Sequence, residues 1–432
     1  MAADKKLGLW TASALVVGSM IGSGIFSIPV TLAPFGGISL LGWAFAAFGA
    51  LVLARVMGKL SQVIPGTGGP YAYSREAFGN LAAFVVAWGY WISVWTTNAA
   101  ITITFVSYLS VFIPALAEST LLAGGTGLFT LWLLTAINSH SVKHGGQLQL
   151  VSTFLKVLPI IIVSIGGFFV FKSSHFSPFN LSEASNLKAI TVTSAFCLFA
   201  FMGLEAATVP AGNIKNPKKT IPRATMLGTS LVILIYILSS VALFGIIPPQ
   251  EMAGSVAPFS DAAAAMWGEN ARYLIAAGAC ISAFGALNGW ILIQGQMPLA
   301  MAQDRLLPKA FSKTNKNNSP SFGIIASSII ITLLLVFNQS RGLNDLYAFM
   351  LLLTAVTVLA AYLLSALSLG YFAIKRKQGF ALNLSNIALS LLGTVFSIWM
   401  IIGSGMEAIK WGLLAIVAGL PIYFWNIRKK KT

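Results

Sequence analysis

Gly22-Ser23-Gly24 sits in the middle of an apolar run, Val17-Gly18-Ser19-Met20-Ile21-Gly22-Ser23-Gly24-Ile25-Phe26. Two residues of high backbone freedom flanking a hydroxyl weaken a helix at that point, and a helix broken inside hydrocarbon frees N–H and C=O groups. Such groups are costly in lipid unless they line a cavity or bind something, so a glycine-interrupted span places a binding site at mid-membrane depth. The feature points to a transporter.

That argument presupposes a membrane, and the composition supplies it. Of 432 residues, 57% are hydrophobic and 9% charged, and the mean hydropathy is +0.83, against roughly 25% charged residues in a soluble domain. Apolar runs of about 20 residues fit helices and exclude a β-barrel, whose strands alternate over about 10. The fold class expected is all-α and integral to the membrane, with twelve spans at about 9–33, 36–59, 82–113, 121–138, 148–171, 189–211, 224–247, 272–302, 322–338, 343–373, 381–402 and 408–426. The first span follows Asp4-Lys5-Lys6 without a small-residue cleavage site and reads as retained.

The formal net charge of +16 does not call for nucleic acid, because the basic residues are sorted by side. With the N-terminus inside, Lys5, Lys6, Arg55, Lys59, Arg75, Lys143, the Lys215–Arg223 cluster, the Arg305–Lys316 set, Lys375-Arg376-Lys377 and the tail from Arg428 to Lys431 all fall in cytoplasmic segments, 21 of the 27 Lys and Arg. Lys172, Lys188, Arg272, Arg341 and Lys410 fall outside, and Lys156 lies within a span. This is the positive-inside pattern, and it places both termini in the cytoplasm. Cys197 and Cys280 lie in apolar runs without metal-ligand spacing, and His140, His144 and His175 read as loop residues. No metal or cofactor is expected.

A second break is legible at Phe199-Ala200-Phe201-Met202-Gly203-Leu204-Glu205-Ala206-Ala207, in the sixth span. Interrupted segments at matching positions of two halves are the sequence sign of an inverted-repeat transporter, with the site between the broken helices. Half-helix N-termini suit a carboxylate and freed carbonyls suit an ammonium, and an amino acid presents both. Repeat one then covers about 9–171, repeat two about 189–373, and helices eleven and twelve, about 381–426, stand outside as a support for dimerisation. Together, 1–426 form a single transmembrane domain and 427–432 a basic cytoplasmic tail. Pro65-Gly66-Thr67-Gly68-Gly69-Pro70-Tyr71 is expected to be a non-helical elbow that lets the second and third helices part. Lys215-Asn216-Pro217-Lys218-Lys219-Thr220-Ile221-Pro222-Arg223 closes the sixth span and opens the seventh; a plain basic connector accounts for it equally.

Gly-Ser-Gly in span one, the Pro-Gly-Thr-Gly-Gly-Pro-Tyr elbow, Gly203-Leu204-Glu205-Ala206 followed by Asn216-Pro217-Lys218, and Asp304-Arg305-Leu306-Leu307-Pro308 after span eight together resemble the amino acid/polyamine/organocation (APC) superfamily. Within it the chain is most similar to bacterial antiporters that exchange arginine for agmatine, lysine for cadaverine or ornithine for putrescine. The resemblance runs through essentially the whole chain. It implies twelve helices in two inverted five-helix repeats, with helices one and six discontinuous, alternating access in the bacterial inner membrane, and commonly a homodimer.

Carried over residue by residue, the resemblance gives Ser23 and Gly24 the substrate carboxylate and the carbonyls near Met20, Phe199 and Met202 the α-ammonium. Asn98 would bond the distal end of the side chain, Trp290 would stack on it and Thr354 would line the same pocket. Tyr90, Glu205 and Tyr362 match a gate on the cytoplasmic side. Residue chemistry agrees for several of these. Glu205 is the sole carboxylate well inside a span, where a carboxylate costs about 2.5–3.5 kcal/mol on insertion scales. It serves either proton coupling or, as a protonated group bonded to a hydroxyl, helix–helix adhesion. Trp290 suits cation stacking worth about 0.5–2 kcal/mol, although most of the eleven tryptophans belong to packing and interfaces. Asn98, after Thr96-Thr97, reads equally as interhelical glue.

Two residues depart from the pattern. Phe199 stands where these antiporters usually carry Trp. Lys156, in Phe154-Leu155-Lys156-Val157-Leu158-Pro159, resembles proton-coupled permeases instead, and it either donates to freed carbonyls of span one or snorkels to the surface. The leading reading is therefore a secondary antiporter exchanging an amino acid, a basic one such as arginine, ornithine or lysine, for its decarboxylated amine or another amino acid. The alternative is proton-coupled uptake of broad or neutral specificity, using Lys156 or Glu205. An enzyme lacks a set of catalytic residues at one depth, a channel lacks a charge ring or filter repeat, and no P-loop is present.

Overall fold

The computed structural model describes residues 6–22, 24–65, 68–141, 157–338, 340–375 and 383–428, and the described residues form helices joined by short turns. In chain order the helices are α1 (Leu9–Met20), α2 (Gly24–Leu32), α3 (Ser39–Val63), α4 (Pro70–Phe78), α5 (Asn80–Leu109), α6 (Ala115–Glu118), α7 (Thr120–His140), α8 (Leu158–Gly167) and α9 (Asn186–Ala200). They continue as α10 (Pro217–Ile246), α11 (Pro249–Met252), α12 (Pro258–Trp267), α13 (Glu269–Gln303), α14 (Ser321–Phe337), α15 (Leu343–Lys375), α16 (Leu384–Gly403) and α17 (Gly405–Arg428). Eight helical stretches are long and apolar enough to cross a membrane, and four shorter apolar helices, α1, α8, α9 and α14, accompany them. Two of the four are short because they are halves of interrupted runs: α1 stops at the Gly22–Gly24 break and α9 stops at Ala200.

The packing follows from which helices are apolar all round. A lipid-exposed helix needs only one polar-satisfied face, whereas α5 is 89% buried over its apolar window and carries Trp, Thr and Asn on several faces. It runs through the middle of the bundle, against α15 on one side and α13 on the other. In contrast, α17 is 22% buried over its window and shows Trp411, Leu414, Phe424 and Trp425 at its surface. The apolar residues of α16 and α17 that point outward meet hydrocarbon at no hydrophobic cost.

The two breaks lie back to back. Gly203 has φ +98°, a left-handed value that L side chains seldom adopt, and a Cβ built on it would stand 2.9 Å from Ser19 Cβ and 3.1 Å from the Ser19 carbonyl carbon. Gly24 approaches the end of α9 in the same way, with Ala200 Cα 3.4 Å from where a Cβ would be. The chain between α9 and α10 is a series of tight turns, Phe201 N–H donating to Leu198 O, Met202 N–H to Phe199 O, Ala206 N–H to Gly203 O and Thr208 N–H to Glu205 O. It ends beside the amino-terminal segment, where Lys215 N–H donates to Leu7 O at 2.9 Å.

Two expectations change on inspection of the structure. The elbow from Pro65 to Tyr71 is not wholly non-helical: Pro70 opens α4 and Tyr71 lies in its first turn. Proline is tolerated at the first helical position, because its missing N–H would have no helical partner there. His140 is not a loop residue but the last residue of α7. Ser23, Gly66, Thr67, Lys143, His144 and Lys156 lie outside the described residues.

The contact between the breaks makes a prediction. Gly203→Ala combines an unfavourable φ with overlap on Ser19, and is expected to destabilise by at least about 1 kcal/mol. The check is thermal unfolding of the purified protein in detergent. Adding Ser19→Gly should restore only part of the loss, since the backbone of residue 19 is also in contact.

Candidate functional site

Once a helix is interrupted, the last carbonyls before the gap and the first N–H groups after it need partners. Tyrosines from other helices bond to carbonyls around the gap, one of them at the orphaned end of α1 and two at the start of α2. Tyr236 Oη on α10 donates to Met20 O at 2.8 Å, and Tyr108 Oη on α5 donates to Phe26 O at 2.9 Å. Tyr347 Oη on α15 reaches Gly24 O at a long 3.5 Å. All three phenols are buried, Tyr108 and Tyr236 completely. The Tyr108 oxygen also accepts from Phe259 N–H on α12, which seats that short helix over α2.

Between the two breaks lies a cavity of about 20 Å³, lined by Ser19, Met20, Gly22, Gly24, Thr97, Ile101, Phe199, Ala200, Met202 and Trp290. A water occupies about 10–15 Å³ on this measure, so the cavity has room for about one water and is closed to an amino acid. Five of the sequence-selected residues, Met20, Gly24, Phe199, Met202 and Trp290, come together in its wall. Phe199 meets Tyr347 edge-on at 6.5 Å, which closes the wall toward α15. Met20 O and Phe199 O, selected as ammonium acceptors, already hold Tyr236 Oη and Met202 N–H respectively. A carbonyl oxygen has two lone pairs, so each retains capacity for a second donor.

Asn98 and Thr354 are buried but do not line the cavity. Asn98 Nδ2 donates to Gln294 Oε1 at 2.7 Å, and Thr354 Oγ1 donates within α15 to Met350 O at 2.6 Å and lies 2.6 Å from Thr96 Oγ1. The position that does face the cavity from α5 is Thr97, whose hydroxyl is buried without a hydrogen-bond partner among the described residues. Thr97 and Ile101 are four apart and share a face, rotated about 100° from Asn98, but spacing alone does not say which face meets the cavity. Ser19, Gly22 and Ala200 also line the wall and were not selected from the sequence.

Glu205, Tyr90 and Tyr362 do assemble. Glu205 lies in the turns after α9, 1% exposed, and is the only charged residue type in the buried interior among the described residues. Tyr362 Oη on α15 donates to its Oε2 at 2.8 Å, and Tyr90 on α5 stands beside the same carboxyl group. Oε1 has no hydrogen-bond partner of good geometry among the described residues. Tyr90 lies about two turns before Thr97, toward the start of α5, so the cluster sits on that side of the cavity.

A further tie closes the same end. Asp304, capping α13, accepts from Tyr71 Oη and from Arg75 Nη1 at 3.1 Å, while Arg75 Nε donates to Asn80 Oδ1 at 3.2 Å. Burial and the neighbouring Asp304 carboxylate hold the Tyr71 proton on well above the usual phenol range. The pair is half-exposed, so its net worth is below about 1 kcal/mol. It nevertheless fixes α4 against α13, and Gly68 N–H, which donates to Val209 O at 3.1 Å, fixes the elbow against the second break.

The Glu205 cluster predicts that Tyr362→Phe strands one carboxyl oxygen in the interior and lowers stability by about 1–3 kcal/mol. Glu205→Gln in the Tyr362→Phe background should recover part of this, because a neutral amide tolerates the apolar surround better than a carboxyl group that has lost its donor. Thermal unfolding of both variants is the measurement.

Comparison with known proteins adds an independent finding. The family model for amino acid permeases matches residues 7–420. The chain is 32% identical over 414 residues to the cadaverine/lysine antiporter of Escherichia coli K12, which covers 94% of this chain and 91% of the relative. It is 30% identical over 458 residues to a putative arginine/ornithine antiporter of Bacillus subtilis, covering 98% and 96%. It is 31% identical over 454 residues to the arginine/agmatine antiporter of Chlamydia pneumoniae, covering 99% and 91%.

Proposed function

The chain belongs to the amino acid permease family, and from that premise we propose that it is a secondary antiporter exchanging a basic amino acid for its decarboxylated amine or for another amino acid. Each of the three relatives is named for the exchange of two such cations. The observation that carries the reading to this chain is the cavity between the two breaks, where a glycine-framed gap in one helix faces an aromatic wall of Phe199 and Trp290. The gap supplies backbone groups for the α-amino and α-carboxyl groups, and the indole suits the side-chain cation.

In this reading the chain crosses a bacterial membrane twelve times in two inverted repeats of five helices, about 9–171 and 189–373, with both termini in the cytoplasm and helices α16 and α17 available to a homodimer. Gly24, with Ser23, receives the carboxylate, carbonyls near Met20, Phe199 and Met202 the ammonium, and Trp290 the side chain. Tyr90, Glu205 and Tyr362 form the gate toward the cytoplasm. Transport requires the cavity to widen around substrate and then open to one side at a time. The partners are the small cationic substrates and the lipid bilayer, and no covalent step is involved.

The test is uptake of radiolabelled arginine, lysine or ornithine into proteoliposomes loaded with the same amino acid, with agmatine, cadaverine or putrescine, or with nothing, at equal pH on both sides. Uptake confined to loaded vesicles is the expected outcome. Uptake of neutral amino acids driven by a proton gradient, with no exchange of the basic ones, overturns the proposal. Where exchange is found, Trp290→Leu should raise KM for the basic substrate about 2- to 30-fold, the equivalent of a lost cation–π contact.

A further inference from the structure

The orientation of one buried amide is dictated by another. Gln294 on α13 places its Nε2 3.0 Å from Ile324 O and 2.8 Å from Ser328 Oγ, both on α14. A backbone carbonyl only accepts, so the opposite setting of the amide would press two acceptor oxygens together; the nitrogen must face α14 and Oε1 must face α5. There Oε1 meets Asn98 at 2.7 Å, and since it accepts, the atom of Asn98 turned toward it is Nδ2. Asn98 Oδ1 therefore points elsewhere. It is buried and has no hydrogen-bond partner among the described residues.

Gln294 itself is held on every side. Trp91 Nε1 donates to its backbone oxygen at 3.0 Å and to Ser327 Oγ at 2.9 Å, and Ser328 Oγ lies 2.7 Å from Thr135 Oγ1 on α7. The amide cannot turn over without losing its bonds to Ile324 O, Ser328 Oγ and Asn98 Nδ2. An unpaired buried acceptor is costly unless another state of the molecule supplies a donor. The site is at hand: Thr97, the residue before Asn98, and Trp290, one turn before Gln294 on α13, both line the cavity.

We infer that Gln294 is a positioning residue that fixes the Asn98 amide with its oxygen left for substrate, so that the site selects side chains ending in an N–H or O–H donor. The inference rests on the exchange of basic amino acids proposed above. It identifies Gln294, which touches no substrate, as a determinant of specificity acting through Asn98.

The test compares lysine with norleucine, which has the same chain without the ammonium, in proteoliposome exchange. Gln294→Met is expected to raise KM for lysine about tenfold to a hundredfold, the equivalent of one hydrogen bond to a charged donor, and to leave the inhibition constant for norleucine nearly unchanged. Its kcat should stay within about threefold, since the loss is in binding. In an Asn98→Ala background the same substitution should have no further effect on lysine. The unmodified protein gives a second readout: the alcohol analogue of lysine should inhibit exchange at least about tenfold better than its methyl ether, which can only accept. Equal losses for lysine and norleucine, additive effects of the two substitutions, or no discrimination between alcohol and ether would overturn the inference while leaving exchange intact. Absence of exchange with any basic amino acid would instead defeat the function proposed above and this inference with it.

Discussion

An interrupted backbone buried in hydrocarbon must have its freed polar groups paired, and the arrangement around α1 and α2 answers to that need. A soluble protein leaves such groups to water; here that solvent is excluded, and each unmet group would cost several kcal/mol. A phenol from α10 meets the orphaned Met20 carbonyl, and phenols from α5 and α15 add bonds to Phe26 O and Gly24 O at the start of α2. Those helices therefore have to surround the break, and the cavity is the small space left among them. The second break answers the same need partly within itself, by tight turns in which the carbonyls of Leu198, Phe199, Gly203 and Glu205 each meet an N–H three residues on. The two breaks differ in kind for this reason, one bonded by side chains from three helices and the other in part by its own main chain.

The remaining polar groups fall into two assemblies of different character. Asn98, Gln294, Ser327, Ser328, Trp91 and Thr135 tie α5, α7, α13 and α14 through side-chain bonds deep in the bundle. Asn138 and Ser319 extend this toward the end where α14 begins, with Asn138 Nδ2 donating to Asn288 Oδ1 at 2.8 Å and Ser319 Oγ to Asn138 O at 2.6 Å. Such a network holds four helices in one register. The interrupted segments meet this frame mostly through apolar and aromatic contact, with bonds from α5 at Tyr108 and Thr104 to Phe26 and Ser27 of α2, while the Glu205 carboxyl group is tied to Tyr362 of α15. Apolar contact in lipid has little directional preference, so the frame fixes the site's dimensions while the broken helices are left the freedom to shift against it.

Much of this was legible in the sequence, because membrane helices announce themselves by length and glycine breaks them visibly. Both interruptions stood out, at Gly22–Gly24 and at Gly203, and so did Glu205 as a carboxyl group with no place in lipid unless engaged. What the sequence did not disclose was rotation. Asn98 and Thr97 are neighbours in the chain but face different helices, and only the angular position of α5 places Thr97 on the cavity and Asn98 against Gln294. Tyr108, Tyr236 and Tyr347 were missed for another reason: a phenol serving a distant carbonyl has no local pattern, and its partner lies up to 323 residues away. α4 was hidden by its own punctuation, since Gly68, Gly69 and Pro70 read as a break when they are the start of a helix.

The phenol caps have one more consequence. A helix hydrogen bond is broken only by moving backbone, whereas a bond from a tyrosine to a carbonyl is remade by turning a side chain. The first interrupted span is thus held by contacts that can be exchanged without unfolding a residue of it. Three of the ten tyrosines of the chain carry the state of that span in their hydroxyl groups. Their C–O stretching vibration is consequently an intrinsic infrared reporter of the span's movement, native to the protein and requiring no attached label.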